Sequence, residues 1–214
     1  MADRGLFLDG VSILLKGRTL LSVTARVAPG EVFTIMGPSG SGKSTLLAFI
    51  GGFLDRAFTA SGRVFANGVD LTAIPAEDRH VGILFQDPLL FPHMSVAGNL
   101  LFAIPPNVRG RGERIALAEA ALDGVGLGGL GARDPDTLSG GQKARVALAR
   151  TLLSNPLMLL LDEPFSKLDA ELRQQMRELV FSRARAVALP VVLVTHDEAD
   201  AAAAGGPVLR IGTD

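Results

Sequence analysis

Gly37-Pro38-Ser39-Gly40-Ser41-Gly42-Lys43-Ser44 has the residue types and spacing of a phosphate-holding loop, G-x-x-x-x-G-K-[ST]. A phosphate needs several hydrogen-bond donors at close range. Glycines at 40 and 42 let the backbone turn without Cβ clashes, so that N–H groups can point inward. A following helix adds the partial positive charge of its N-terminus. Lys43 supplies a point charge for β- and γ-phosphates, and Ser44 a hydroxyl for Mg²⁺. Pro38, Ser39, Ser41 and Thr45 complete the expected phosphate contacts.

Asp162-Glu163 closes the apolar run Leu157-Met158-Leu159-Leu160-Leu161. On their own, two acids at a strand end are simply solvated. Beside a phosphate loop, Asp162 supports the shell of a magnesium ion and Glu163 acts as general base toward water. Gln86 follows the run ending at Phe85, and its amide can both donate and accept. It is a candidate for contact with the metal and the attacking water. His196 closes Val191-Val192-Leu193-Val194-Thr195 and can donate to a γ-phosphate. His80 and His93 have no such neighbours and carry no expected role.

These residues need elements to position them. Residues 31–36 read as a strand that runs into the loop, and 44–50 as the helix after it. Further strands are expected at 63–66, with a turn at Asn67-Gly68, and at 80–85, 157–161, 191–195 and 207–211. Residues 88–155 read as a helical insertion, with helices at 113–122 and 140–153 and a break at the glycines of 124–129. A helix over 170–188 places Leu172, Met176, Leu179 and Val180 on one core-facing stripe. Alternating strands and helices predict an α/β fold with a mostly parallel sheet covered on both faces. Ligands of such sheets sit beyond the carboxyl ends of the strands, where Gly37, Asp162 and His196 would gather.

Composition sets outer limits. The chain has 214 residues, enough for one compact unit with an inserted subdomain. Its 21 basic and 22 acidic residues leave a net charge of -1, so no nucleic-acid partner is expected. The absence of cysteine excludes disulfides and thiolate metal sites. Met1 to Gly5 lacks the basic and apolar regions of a signal peptide, and no apolar run reaches the roughly 18 residues of a membrane span. Mean hydropathy is nonetheless positive, +0.34.

Leu138-Ser139-Gly140-Gly141-Gln142 completes a motif order. It runs from the Gly37 loop through Gln86 and Leu138–Gln142 to Asp162-Glu163, Ser166-Lys167-Leu168-Asp169 and Thr195-His196-Asp197. In this order the chain resembles, over nearly its whole length, the nucleotide-binding subunit of an ATP-binding cassette (ABC) transporter. Leu90-Phe91-Pro92-His93-Met94-Ser95-Val96 is similar to the importer type. Residues 82–87, 134–138 and 162–166 resemble the bacterial YnjD group.

The resemblance implies a single P-loop NTPase domain over 1–214. It would have a RecA-like core and an N-terminal antiparallel β subdomain over about 1–87 and 156–214, and a helical subdomain inserted over about 88–155. It implies ATP and Mg²⁺ as ligands, with Ser44, Gln86 and Asp162 toward the metal, and Glu163, His196, Gln86 and Lys43 toward catalysis. It implies a head-to-tail homodimer, with each ATP lying on the Gly37 loop of one copy and under Ser139, Gly140, Gly141 and Gln142 of the other. Asp169 would line the seam. A groove around residues 86–96 would hold a short helix of an integral membrane permease. A periplasmic or extracellular solute-binding protein would be an indirect partner. The chain would then sit peripherally on the cytoplasmic face of the inner (plasma) membrane.

Three departures from the family pattern stand out. Where members commonly stack adenine on an aromatic ring, residues 11–16 offer Leu15, and the chain has neither Tyr nor Trp. The segment after His196 is short and Ala-rich. The sequence ends at Asp214, so the extra regulatory domain of many sugar and metal importers is not expected. A soluble cassette protein of a non-transport assembly is the alternative class. Such proteins usually carry two cassettes or a long coiled coil. An exporter half would carry a fused membrane segment, and a simple P-loop kinase or GTPase would lack Leu138–Gln142.

Overall fold

The computed structural model describes residues 4–212. Met1, Ala2, Asp3 and residues 213–214, on which the readings of a leader and of the chain end partly fall, lie outside the described residues. The elements in chain order are β1 (Leu6–Leu15), β2 (Arg18–Val27), β3 (Val32–Met36), α1 (Lys43–Gly51), β4 (Phe58–Ala66), β5 (Val69–Asp70), β6 (Val81–Leu84), α2 (Val96–Ala103), α3 (Arg111–Gly124), α4 (Gly140–Leu153), β7 (Met158–Asp162), α5 (Ala170–Ala186), β8 (Val191–Thr195), α6 (Glu198–Ala204) and β9 (Val208–Arg210). They fall into two compact units. One comprises residues up to 83, 157–163 and from 181 onward, and the other 84–156 and 164–180.

In the first unit, β1 and β2 form an antiparallel hairpin through Lys16 and Gly17, with φ of 49° and 81°. Positive φ at both turn positions matches the twist of the strands. With β4 and β5 they make a four-stranded sheet in the order β2-β1-β4-β5. A five-stranded sheet runs in the order β6-β7-β8-β3-β9, with β7/β8, β8/β3 and β3/β9 parallel. β3 and β8 are buried at every position, which is why both read as unbroken apolar runs. The two sheets and α1 share one core. Leu8, Val11 and Ile13 of β1 pack in it with Ile35, Leu46, Ile50, Met158, Leu160 and Val194. Each fully buried aliphatic side chain of this kind contributes roughly 1.5–3 kcal/mol.

The second unit is helical. Val96 and Leu100 of α2, Ala118 and Leu122 of α3, and Val146 and Ala149 of α4 form its core, with Leu179 of α5 packed against it. α2 was not expected as a separate helix. Ser95 caps it, its hydroxyl accepting from Gly98 N at 3.0 Å. The core-facing stripe of α5 is as expected, with Met176 and Val180 buried. α5 and β9 end one to two residues short of their expected limits. Among the described residues no helix is long and apolar enough to cross a membrane.

Candidate functional site

β3 delivers the chain into the loop at Gly37, and α1 takes it away at Lys43. Gly40 and Gly42 have φ of 82° and 86°, the left-handed region that favours glycine. A Cβ on Gly42 would also lie 3.1 Å from Leu20 and Leu21 of β2. Gly42 caps α1 without a side-chain bond, and no acid occupies the first turn. The helix N–H groups and their partial positive charge are thus left to an anion. Lys43 is 5% exposed, and its ammonium donates to Gly37 O at 2.9 Å and Pro38 O at 2.8 Å. A cation hydrogen-bonded to neutral carbonyls inside a glycine loop favours an incoming phosphate. The buried Ser41 hydroxyl has no hydrogen-bond partner, a further polar group suited to such a ligand. Pro38, Ser39 and Gly40 are exposed along the loop, and Thr45 lies in the first turn of α1.

Ser44 Oγ donates to Asp162 Oδ1 at 2.9 Å, joining the start of α1 to the end of β7. Burial pushes the Asp162 carboxyl above its usual range, and the Glu163 charge adds to this, against the Ser44 bond and the Lys43 charge. Two hard oxygen atoms at this spacing suit a small hard dication, whose charge would favour the ionised carboxylate. Among the described residues no group of three or more His, Cys, Asp or Glu side chains could hold a metal. Ser44 and Asp162 offer two oxygen ligands to such an ion.

Glu163 follows β7 and His196 follows β8, its neighbour in the sheet. His196 Nδ1 lies 3.2 Å from Glu163 Oε2. Glu163 has φ of 46°, an uncommon backbone state for a non-glycine residue, and its N–H donates to Val194 O at 2.9 Å. Beyond His196, Thr195 Oγ1 donates to the buried Asp200 at 2.6 Å. Asp197 caps α6 by accepting from Ala199 N at 2.8 Å. The short Ala-rich segment is thereby anchored, with Ala201 and Ala204 buried. Arg210 of β9 donates twice to Glu198, at 2.5 and 2.8 Å. The strand-end residues Gly37, Asp162, Glu163 and His196 thus gather at one sheet edge, as their positions in the sequence predicted. Leu15 is half-buried at the end of β1, opposite Arg18 and Phe58.

The remaining candidates belong to the second unit. Ser139 and Gln142 form a capping box at the start of α4. Ser139 N donates to Gln142 Oε1 at 3.0 Å, and Gln142 N to Ser139 Oγ at 3.3 Å. A Cβ on Gly141 would fall 2.4 Å from Leu172, whereas Gly140 faces open space. Gln86 is exposed and lines a cavity of about 190 Å³ with Phe85, Lys143, Phe165 and Met176. Asp87 beside it pairs with Lys167 at 2.5 Å. Asp169 caps α5, accepting from Leu172 N at 3.0 Å.

Sequence reasoning missed two arginines, Arg79, which is buried, and Arg150, which is half-buried. Arg79 is 5% exposed and donates to Ile74, Phe49, Ile50 and Thr72 carbonyls at 2.7–2.9 Å, gripping the C-terminal end of α1. Burial lowers its guanidinium below the usual arginine range. Arg150 of α4 is similarly depressed by burial and donates to Leu89 and Pro88 carbonyls. Apart from Asn99 Oδ1, which Arg150 reaches at 3.4 Å, their acceptors are backbone carbonyls, so little in the side-chain pattern announces them.

A glycine loop between a buried parallel strand and a helix, with an acidic strand end beside it, defines a P-loop ATPase fold. The likeness to known proteins narrows the class. Residues 20–166 match the ABC transporter family profile. The chain is 48% identical over 196 residues to the ABC transporter ATP-binding protein YnjD of Escherichia coli (strain K12), spanning 91% of this chain and 90% of that protein. It is 44% identical to the thiamine import ATP-binding protein ThiQ of Jannaschia sp. (strain CCS1), covering 87% of this chain and 80% of that one. The same identity holds for the spermidine/putrescine import ATP-binding protein PotA of Pseudomonas aeruginosa (strain UCBPP-PA14), covering 85% of this chain but 49% of that protein's length. Among solved structures, the ATP-binding cassette MJ0796, a dimer in a post-hydrolysis state with ADP and Pi, matches with a TM-score of 0.78 and 29% identity, over 96% of this chain and 94% of that one. The chain belongs to the ABC transporter family, as an ATP-binding and ATP-hydrolysing subunit.

Proposed function

We propose that this chain is the energising subunit of an ABC importer. Two copies close head to tail around two ATP molecules, and the closure drives an integral membrane permease that imports a small solute. The observation that carries this reading is the gathering of the Lys43 ammonium, the Ser44–Asp162 oxygen pair and the Glu163–His196 pair in one unit, beside a glycine loop. The import relatives named above support the direction of transport. As in the family, the core over about 1–87 and 156–214 and the helical subdomain over about 88–155 act as one ATPase domain.

In this reading Gly37 to Thr45 hold the phosphates through backbone N–H groups, and Lys43 neutralises charge on the β- and γ-phosphates. Ser44 and Asp162, with Gln86, would hold Mg²⁺, which would supply positive charge against the phosphates. Glu163 takes a proton from water as the water oxygen bonds to the γ-phosphorus, and the bond to the bridging β–γ oxygen breaks, releasing ADP and phosphate. His196 donates to the γ-phosphate and positions that water. Leu15 packs apolar surface on the adenine. Ser139, Gly140, Gly141 and Gln142 of the second copy contact the same γ-phosphate through the N-terminus of α4. Segment 86–96 receives a short helix of the permease, which places the chain peripherally on the cytoplasmic face of the inner membrane. A solute-binding protein on the other side of the membrane is an indirect partner.

The test is recovery of the tagged chain from its native cells in mild detergent, followed by mass spectrometry. An integral membrane permease accompanies it. A purely soluble set of partners at every detergent condition would move the chain to the alternative class, an ATPase of a non-transport assembly.

A further inference from the structure

The turn after Gln86 is held by the far end of the helix that begins at Ser139. Arg150, near the C-terminus of α4, donates from Nη1 to Leu89 O at 2.9 Å and from Nη2 to Pro88 O at 3.2 Å. Its guanidinium also lies 5.4 Å from the centre of the Phe91 ring. Nη1 reaches Asn99 Oδ1 at 3.4 Å. Asn99 is fully buried. Its Oδ1 accepts from Phe91 N at 2.8 Å, and its Nδ2 donates to Phe91 O and Ser95 O, each at 3.1 Å. Every one of these groups belongs to the second unit.

The segment so held is strained. Leu89 has φ of 47° and is 58% exposed. A left-handed leucine is unfavourable, and an exposed side chain recovers little by burial. The hydrogen bonds from Arg150 to the Pro88 and Leu89 carbonyls offset that strain. At the other end of α4 the Ser139–Gln142 capping box fixes the first turn, and Val146 and Ala149 anchor the middle in the core. α4, 14 residues long, is a rod of about 20 Å.

We propose that Arg150 is a positioning residue that couples α4 to the turn after Gln86, so that contact made at Ser139–Gln142 is transmitted to Pro88–Phe91. This rests on the reading above, in which ATP held by one copy meets the N-terminus of α4 in the other. The consequence is a change in an apolar surface. Phe91 packs edge-on against Phe102 at 5.0 Å, and Phe102 is 65% exposed, so a shift of the turn carries Leu89 and Phe102 with it. Lysine at position 150 would keep the charge but lose the planar fork that reaches two carbonyls and stacks on Phe91.

The experiment measures amide hydrogen exchange of residues 89–91 in purified full-length chain carrying Glu163→Gln, with and without Mg-ATP, and with Arg150 or Arg150→Lys. With Arg150, bound ATP slows exchange in this segment by about tenfold. With Arg150→Lys the ATP effect falls below about twofold while ATP affinity stays within about threefold. Phe91→Leu, which removes only the ring under the guanidinium, is the milder variant should Arg150→Lys not fold, and it at least halves the ATP effect. An undiminished ATP effect in the variants would overturn the proposal. So would no ATP effect with Arg150 when binding is saturated, or faster exchange in the variants with the ATP ratio unchanged. ATP affinity is measured separately, so a chain that binds no ATP sinks the underlying ATPase reading and is told apart from a failure of coupling alone.

Discussion

His196 Nδ1 lies 3.2 Å from Glu163 Oε2, although the two residues leave different strands. β7 and β8 are parallel neighbours with Asp162 opposite Val194, so Glu163 comes level with Thr195 and His196 follows one residue beyond it. The left-handed backbone of Glu163 bends the chain there, with its N–H bonded to Val194 O. The acid proposed as general base is thus held by the sheet and by the histidine together.

Glu163→Gln keeps the shape and removes the proton acceptor. We expect ATP turnover to fall by at least about a hundredfold, with ATP affinity retained and an ATP-bound dimer accumulating. Lys43→Ala instead loses nucleotide affinity. Steady-state hydrolysis and size-exclusion chromatography with Mg-ATP check both. Hydrolysis at the wild-type rate by Glu163→Gln would remove Glu163 from the role of base.

Asp162 predicts a conflict between stability and function. Its carboxyl is raised in the folded chain, chiefly by burial, so ionising it disfavours the fold. Stability from this group is present below the unfolded carboxylate range and lost as pH rises through the higher folded value. Asp162→Asn therefore raises the melting temperature of the nucleotide-free chain at pH 7 while impairing Mg-ATP hydrolysis. The advantage over the parent shrinks as both are melted at lower pH. An advantage independent of pH would show that the gain does not come from ionisation.

Two adjacent glycines of the Leu138–Gln142 motif should separate folding from ligand contact. Gly141→Ala drives a Cβ into Leu172 and destabilises by about 1–3 kcal/mol. Gly140→Ala meets no atom within 4 Å and changes stability by less than about 0.5 kcal/mol, yet lowers ATP hydrolysis at least about tenfold by crowding the partner's nucleotide. Denaturant melts and ATPase rates distinguish the two. Full activity in Gly140→Ala would place the nucleotide elsewhere.

Leu15 offers adenine apolar contact without aromatic stacking. ATP and GTP should bind with affinities within about threefold, and Leu15→Tyr should tighten nucleotide binding, since an added stacking contact is worth about 0.5–1.5 kcal/mol. Competition titrations with both nucleotides measure this. A strong ATP preference in the parent chain would mean that other groups read the base.

Arg79 binds four carbonyls around the end of α1 from a buried position. Arg79→Ala leaves those acceptors without their donor and is expected to lose about 3 kcal/mol of stability. Chemical denaturation checks the loss, and an unchanged midpoint would show that water replaces the guanidinium freely.

The candidate site was legible in the sequence because its signals are local. The Gly37 loop, the acids after Leu161 and the glycines before α4 each follow from a few consecutive residues. Buried strands such as Val191–Thr195 show as apolar runs because both their faces are covered. Short elements were less legible. α2 and α6 span 8 and 7 residues, too few for periodicity to separate them from loops, and it is the Ser95 and Asp197 caps that mark their starts. The tertiary structure alone decided the left-handed backbone at Glu163, the approach of Ser44 to Asp162, and the carbonyl grips of Arg79 and Arg150. Each joins groups distant in the chain, or uses backbone acceptors that every residue carries. No side-chain pattern encodes such pairings; they exist only once the sheets and helices have brought those segments together.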